Sequence, residues 1–258
     1  MKWGDLMCKR LLQNILLIVL IIGVWYIAAM YTNPIFIPKP QDVFNDFVQM
    51  IISKQLFVAL KYSFLRITFA TMLSAIISIP IGLLIYNFKI VNTFLYPIVK
   101  VIRFIPVTAF YPLLMMWFGI EEEMKIVFLF IATFVYMMPS VILTLEEIKQ
   151  DVIDTALTIG MNKFQIITQV QIPASMPSLM NSFVMMYGIG WTYVAVAETI
   201  NAKYGLGYII QQASSRGKTD LVFMAIISII IVSILFDTLT KLLIKKIFKW
   251  RYINDNIE

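Results

Sequence analysis

Histidine is missing from all 258 residues. Without imidazole the chain has no histidine general base and no histidine ligand for zinc, so a Ser-His-Asp arrangement and an H-E-x-x-H site are both excluded. The single cysteine, Cys8, excludes an intramolecular disulfide. Charge is scarce as well. Only 14% of residues are Asp, Glu, Lys or Arg and 60% are hydrophobic, whereas a soluble domain is about a quarter charged and half apolar. Water is therefore not the main solvent of this chain, and few parts remain for catalytic chemistry. No residue pattern calls for a metal or a cofactor.

What is present is a series of uncharged runs. They cover residues 11 to 31, 67 to 88, 104 to 120, 126 to 145, 174 to 197 and 221 to 236, and each is most of the ~20 residues that a helix needs to cross a ~30 Å hydrocarbon slab. The third and sixth must continue past flanking charges to reach full length. The first follows the basic start MKWGDLMCKR and no small-residue cleavage site follows it, so it is expected to be a retained anchor helix. Between the first and second runs, Pro34, Pro38 and Pro40 break the helix. From Gln41 the pattern predicts a short interfacial helix with Val43, Phe44, Phe47 and Ile51 on one side. The expected architecture is all-α and integral to the membrane, with six transmembrane helices in one domain over 1–258 and a core over about 57–247.

Cations set the orientation. With the N-terminus inside, the inner segments hold Lys2, Lys9, Arg10, Lys89, Lys149, Lys163, Lys241, Lys245, Lys246, Lys249 and Arg251, and the outer ones hold Lys39, Lys54, Lys61, Lys125, Lys203, Arg216 and Lys218. Eleven against seven predicts both termini in the cytoplasm. The loop GIEEEMK, net negative, suits the outer side, and Glu121, Glu122 and Glu123 read there as a solvated run.

One stretch breaks the hydrocarbon pattern: VIDTALTIGMNKFQIITQVQIPASMP, residues 152–177. Val152, Ile153, Ala156, Leu157 and Ile159 cluster at helical spacing, Gly160 permits a break, and Phe164, Ile167 and Val170 mark a second amphipathic turn that Pro173 should end. Two short helices hinged at a glycine would lie on the cytoplasmic face, over about residues 146 to 173. A helix resting on lipid would have similar composition. The register argues for something narrower: D-T-A-x-x-x-G, nine residues, then V-x-I-P.

That register closely resembles the E-A-A-x-x-x-G-x9-I-x-L-P loop of binding-protein-dependent ABC importer permeases. Asp154, Thr155 and Ala156 match E-A-A, Gly160 matches the glycine, and Val170, Ile172 and Pro173 match I-x-L-P, with Thr155 the largest departure. PKPQDVFNDF, RFIPVTAFYPLLMMWFGI, VAETI with YGLGYII, and FDTLTKLL through KWR extend the resemblance toward the nitrate, sulfonate and taurine subgroup. The resemblance implies a type I, MetI-like fold in the cell membrane, pairing as a homodimer and carrying two ABC ATPase subunits. It also implies an extracytoplasmic binding protein that delivers solute. The polar segment would then be the coupling helix that enters a cleft on the ATPase. The implied substrate is a small anion such as a sulfonate, taurine or nitrate; importers of thiamine or riboflavin precursors belong to the same subgroup.

Under this reading the chain itself is no enzyme and takes no nucleic acid partner. Gly217-Lys218-Thr219 imitates the end of a phosphate-binding loop, but the loop needs a glycine where Gln212 stands. A secondary transporter would be expected to show repeats or paired broken helices, and none is evident in the sequence. For the pathway, Lys100 and Arg103 are three apart and share a helix face. They border an anion path on one reading and snorkel to inner headgroups on the other. Trp191, Thr192 and Glu198, on or just after the fifth span, are further pathway candidates because that helix commonly lines the path in the resembling family. GIGW at 188–191 suits close helix packing. Tyr204-Gly205-Leu206-Gly207 suits an outer turn.

Overall fold

The computed structural model describes residues 3 to 251, and among these every regular element is helical. Lys2, counted in the charge bias, lies outside the described residues. The first apolar run forms α1 (Trp3–Tyr31). The prolines after it end the helix as expected, and Pro40 opens α2 (Pro40–Ile52) at a position where its missing N–H leaves no bond unmade. Trp25 Nε1 donates to the Pro38 carbonyl at 3.0 Å, tying α1 to this bend. α2 lies against the start of α11 (Thr219–Ile247), packing through Val43, Phe47, Met50 and Ile51. Phe44, expected on the packed side, is 65% exposed, because its neighbour Val43 already faces the bundle and a helix turns about 100° per residue. Asp46 points toward α11; burial first, and then nearby Asp220, raise its carboxyl above the ordinary value.

Three long helices make the core: α3 (Gln55–Asn87), α6 (Glu122–Glu146) and α9 (Ile172–Ala197). Ile67, Ala70, Phe128, Ala132 and Val194 are fully enclosed where they meet. Small residues set the spacing. A Cβ on Gly82 would collide with Val141 of α6, and one on Gly190 would stand 2.6 Å from Ile67 Cγ2 of α3. Gly190 is thus the glycine of GIGW at which helices touch, while Gly188 has open space beside it.

The third span departs from expectation. It is not one helix but α4 (Lys89–Ile102), a 3-10 turn over Val107–Phe110, and α5 (Tyr111–Phe118), bent by 95° between the two halves. Pro106 explains the break, since it disfavours helical geometry at Ile105 and has no N–H to continue the ladder. With α1, α3, α6, the stretch Lys163–Ala197 and α11, five helices among the described residues are long and apolar enough to cross a bilayer, and the bent pair completes six.

Chain direction gives the bundle two ends. At one lie α2, the turn before α6, and α10 (Leu206–Ser215), a short helix between α9 and α11 that sequence reading missed. At the other lie α7 (Gln150–Thr158) and α8 (Lys163–Gln165), between α6 and α9.

Candidate functional site

The α7 end carries the segment singled out in the sequence. α7 and α8 form as expected, and Gly160 turns the chain between them with φ +84°, a conformation glycine adopts at little cost. Nothing lies within 4 Å of where its Cβ would be, so the backbone angle alone selects glycine here. Asn162 then starts α8 with a reciprocal cap: its side chain accepts from the Gln165 N–H at 2.9 Å, and the Gln165 side chain accepts from the Asn162 N–H at 2.8 Å.

Two expectations need correction. Pro173 does not end the second helix. The chain runs from α8 through a wider π-helical stretch, Ile166–Gln171, straight into α9. The wide turn relieves the contact between the proline ring and the preceding turn and accommodates the lost N–H. Ala156, expected on the partner-facing side, is 4% exposed and turned inward, where α7 packs on the π-helical stretch. Val152, Leu157, Ile159 and Phe164 instead stand on the open surface, Phe164 at 73% exposure. Asp154 and Thr155 are exposed, with Asp154 accepting from Gln150 Nε2 at 3.0 Å. Val170 and Ile172 are half-buried at the root of α9. Asn87 of α3 and Gln171 exchange two amide hydrogen bonds of 2.7 and 3.0 Å, which fix this root to the bundle. The result is a polar helix pair held rigidly at the bundle end and displaying apolar side chains outward, which is the character of an interface for another protein.

The opposite end carries a charge network that no sequence pattern announced. Arg66 on α3 donates from Nε and Nη2 to the two oxygens of Glu122 at 2.7 Å each, and from Nη1 to Glu198 at 2.6 Å and the Tyr204 carbonyl at 2.8 Å. Glu198 is fully buried and also accepts from Ser63 Oγ and the Gly207 N–H at 2.9 Å. Ser63 Oγ in turn accepts from the Leu206 N–H at 2.9 Å. Lys125, 1% exposed, donates to the carbonyls of Ile120, Glu121 and Asn201. Two carboxylates and one guanidinium thus join α3, the start of α6, the loop after α9 and the start of α10. Glu122, expected as part of a solvated run, is the bidentate partner of Arg66.

The glycines of YGLG do more than turn. Gly205, at φ +141°, lies so close to Glu198 that a Cβ would overlap its carboxylate, and one on Gly207 would sit 2.7 Å from the Glu198 Cβ. Only glycine lets the backbone reach the buried acid.

The pathway candidates separate. Trp191 and Glu198 are enclosed within the chain, at 1% and 0% exposure, and do not face open space. Thr192 is exposed, on a stripe of α9 with Asn181, Met185 and Gly188. The open face of α11, by contrast, is Ile226, Ile230, Ile234 and Leu239, a surface suited to lipid. Lys100 lies in the last turn of α4 and Arg103 just beyond it, both exposed and, among the described residues, neither in an ion pair; Lys100 lies over the Tyr96 ring and Arg103 over the Phe104 ring. With Phe104, Pro139 and Leu143 they line a hollow of about 430 Å³ beside the break of the third span. Irregular backbone at membrane depth is tolerated where protein or water covers it, not lipid.

Residues 74–249, more than half of the chain, match the family model described as the binding-protein-dependent transport system inner membrane component, and the chain belongs to that family. Its members are membrane-embedded subunits of transport systems. Among its relatives, the taurine transport system permease protein TauC of Escherichia coli (strain K12) is 27% identical over 257 residues, covering 97% of this chain and 94% of TauC. A putative aliphatic sulfonates transport permease protein, SsuC of Bacillus subtilis (strain 168), is 28% identical and covers 93% and 88%. The fold is also that of a chain from an inward-facing MetNI methionine ABC transporter, with a TM-score of 0.67 at 20% identity over 76% of this chain and 97% of that one.

Proposed function

We propose that this chain is the permease subunit of an ATP-driven importer for a small organic anion, working as a homodimer with two ATPase subunits and an extracytoplasmic binding protein. The observation that carries the reading is the α7–α8 segment, where the register from Asp154 to Pro173 coincides with a rigid mount and outward-facing Leu157, Ile159 and Phe164. The ATPase seats there and hydrolyses the nucleotide. Family membership and the permeases TauC and SsuC support the transport role and the sulfonate class.

The α7 end, with both termini, faces the cytoplasm, and the α2–α10 end faces outward. In intact cells, a cysteine at Ser214 is expected to react with an impermeant thiol reagent and one at Asn162 to remain unlabelled until the membrane is opened. Labelling of Asn162→Cys from outside would reverse the orientation.

Thr192 and the exposed stripe of α9 face the pathway between the two copies, and Lys100 and Arg103 supply its positive field. In proteoliposomes holding the permease, its ATPase and its binding protein, uptake of taurine or another sulfonate is expected to require ATP. Lys100→Gln and Arg103→Gln are each expected to slow that uptake about tenfold per 1.4 kcal/mol of lost stabilisation, measured per correctly oriented complex. A neutral substrate carried at full rate by both variants would remove the anion path. Failure to assemble with any ATPase would remove the importer reading itself.

A further inference from the structure

The α7–α8 segment is continuous along the chain with α6 before it and α9 after it, whereas α3 meets it only across space. Two side-chain contacts span that gap. At the end of α3, Asn87 Nδ2 donates to Gln171 Oε1 at 2.7 Å, and Asn87 Oδ1 accepts from Gln171 Nε2 at 3.0 Å. One residue on, the Lys163 ammonium at the first position of α8 lies over the Phe88 ring, 4.2 Å from its centroid. Gln171 is 2% exposed, and Asn87 Nδ2 also donates to the Leu83 carbonyl at 3.0 Å, which fixes the plane of the Asn87 amide.

We infer that Asn87 and Gln171 are positioning residues for energy coupling: through their amides a displacement of α7 and α8 moves α3 together with α9. The inference rests on the importer reading above, in which the ATPase seats on α7 and α8. α7 packs directly on the π-helical stretch, and Gln171 is the last residue of that stretch, so a push on α7 arrives at this amide. Just beyond it, Pro173 withholds an N–H from the helical ladder, which leaves the covalent route into α9 one bond short. The side-chain route has no such gap. Each amide both gives and accepts a bond, and such bonds weaken steeply when bent, so α3 cannot slide past the stretch without losing both.

α3 has somewhere to carry the motion. Gly82 meets Val141 of α6 so closely that a Cβ would collide, and α3 therefore has no room there to shift alone. About 30 Å further along the helix, at 1.5 Å per residue, the same element presents Arg66 to Glu122 and Glu198. One helix thus links the α7 end to the buried network at the other end. A pair kept for stability alone would be served as well by two apolar side chains, because replacing both partners of a hydrogen bond by groups of similar shape is nearly neutral. The two roles therefore separate by experiment.

The test uses the permease with its ATPase in proteoliposomes and reads the factor by which the binding protein raises ATP hydrolysis, beside thermal unfolding and ATPase co-purification. In Asn87→Leu/Gln171→Leu, unfolding and co-purification are expected to stay near wild type while the stimulation factor falls about fivefold or more. Asn87→Gln/Gln171→Asn keeps both amides and their summed length, and should restore it. Gln171→Met retains the length of the side chain without its amide, and should reproduce the loss even if the leucine pair folds poorly. Normal stimulation in the leucine pair or in Gln171→Met would overturn the inference while leaving the importer standing. So would a loss that the exchanged pair does not repair. If the wild-type chain retains no ATPase, the importer reading fails, and this link falls with it.

Discussion

Arg66→Leu is expected to lower the stability of the folded permease by about 3–5 kcal/mol, the usual cost of removing one partner from a buried ion pair. Glu198 has no exposure of its own, and without Arg66 it keeps only Ser63 Oγ and the Gly207 N–H to offset a charge taken out of water. Lysine should not rescue the site. Arg66 reaches both Glu122 oxygens, Glu198 and the Tyr204 carbonyl through a planar fork, and an ammonium cannot reproduce that spread. Gly205→Ala should damage the same network from the other side, by driving its methyl into the Glu198 carboxylate. Thermal unfolding in detergent measures all three. In Arg66→Leu/Glu198→Leu the loss should be less than the sum of the single losses, because no lone charge remains buried. Wild-type stability in Arg66→Leu would show that the network contributes nothing net.

The second large effect is at the α7 end. Phe164→Asp and Leu157→Asp place a charge on apolar side chains that stand on the open surface, so the fold should tolerate them while ATPase binding weakens by about 2 kcal/mol or more at a buried interface position. That is roughly thirtyfold in affinity. Gly160→Val is expected to uncouple uptake for a different reason: at φ +84° a β-branched residue is strained, although there is room for its side chain. Gly160→Asn should retain much of the activity, since asparagine tolerates the left-handed region. The readouts are ATPase co-purification and ATP-driven uptake at matched permease content. Full uptake and normal co-purification in both aspartate variants would place the ATPase elsewhere. Ala156→Asp is the weaker probe, because its side chain faces the chain's own interior.

The membrane character, the helical class and the six spans were legible because each depends on a one-dimensional property. An apolar run long enough to cross hydrocarbon must satisfy its own backbone, and a helix is how one segment does so. The two short helices α7 and α8 were legible for a related reason: their residues lie within one stretch of chain, so their spacing alone carries the pattern. Gly160 was read correctly as a hinge on that basis. Ala156 was not, because which side of α7 is covered depends on the π-helical stretch folding back against it. The break at Pro106 had a local cause, yet its 95° bend depends on what α4 and α5 pack upon.

The network was invisible for the opposite reason. Arg66 is separated by 56 residues from Glu122 and by 132 from Glu198, and nothing in those intervals marks the three as partners. In the sequence Glu122 is one acid of three in a loop and Glu198 an acid after a span. Composition and local spacing determined that this chain lives in a membrane, how often it crosses, and which segment breaks the hydrocarbon pattern as two short polar helices. Only the packing of α3, α6, α9 and α10 decided which charges are buried and which glycines must stay glycine, because a buried charge is set by its neighbours in space and those neighbours are distant along the chain.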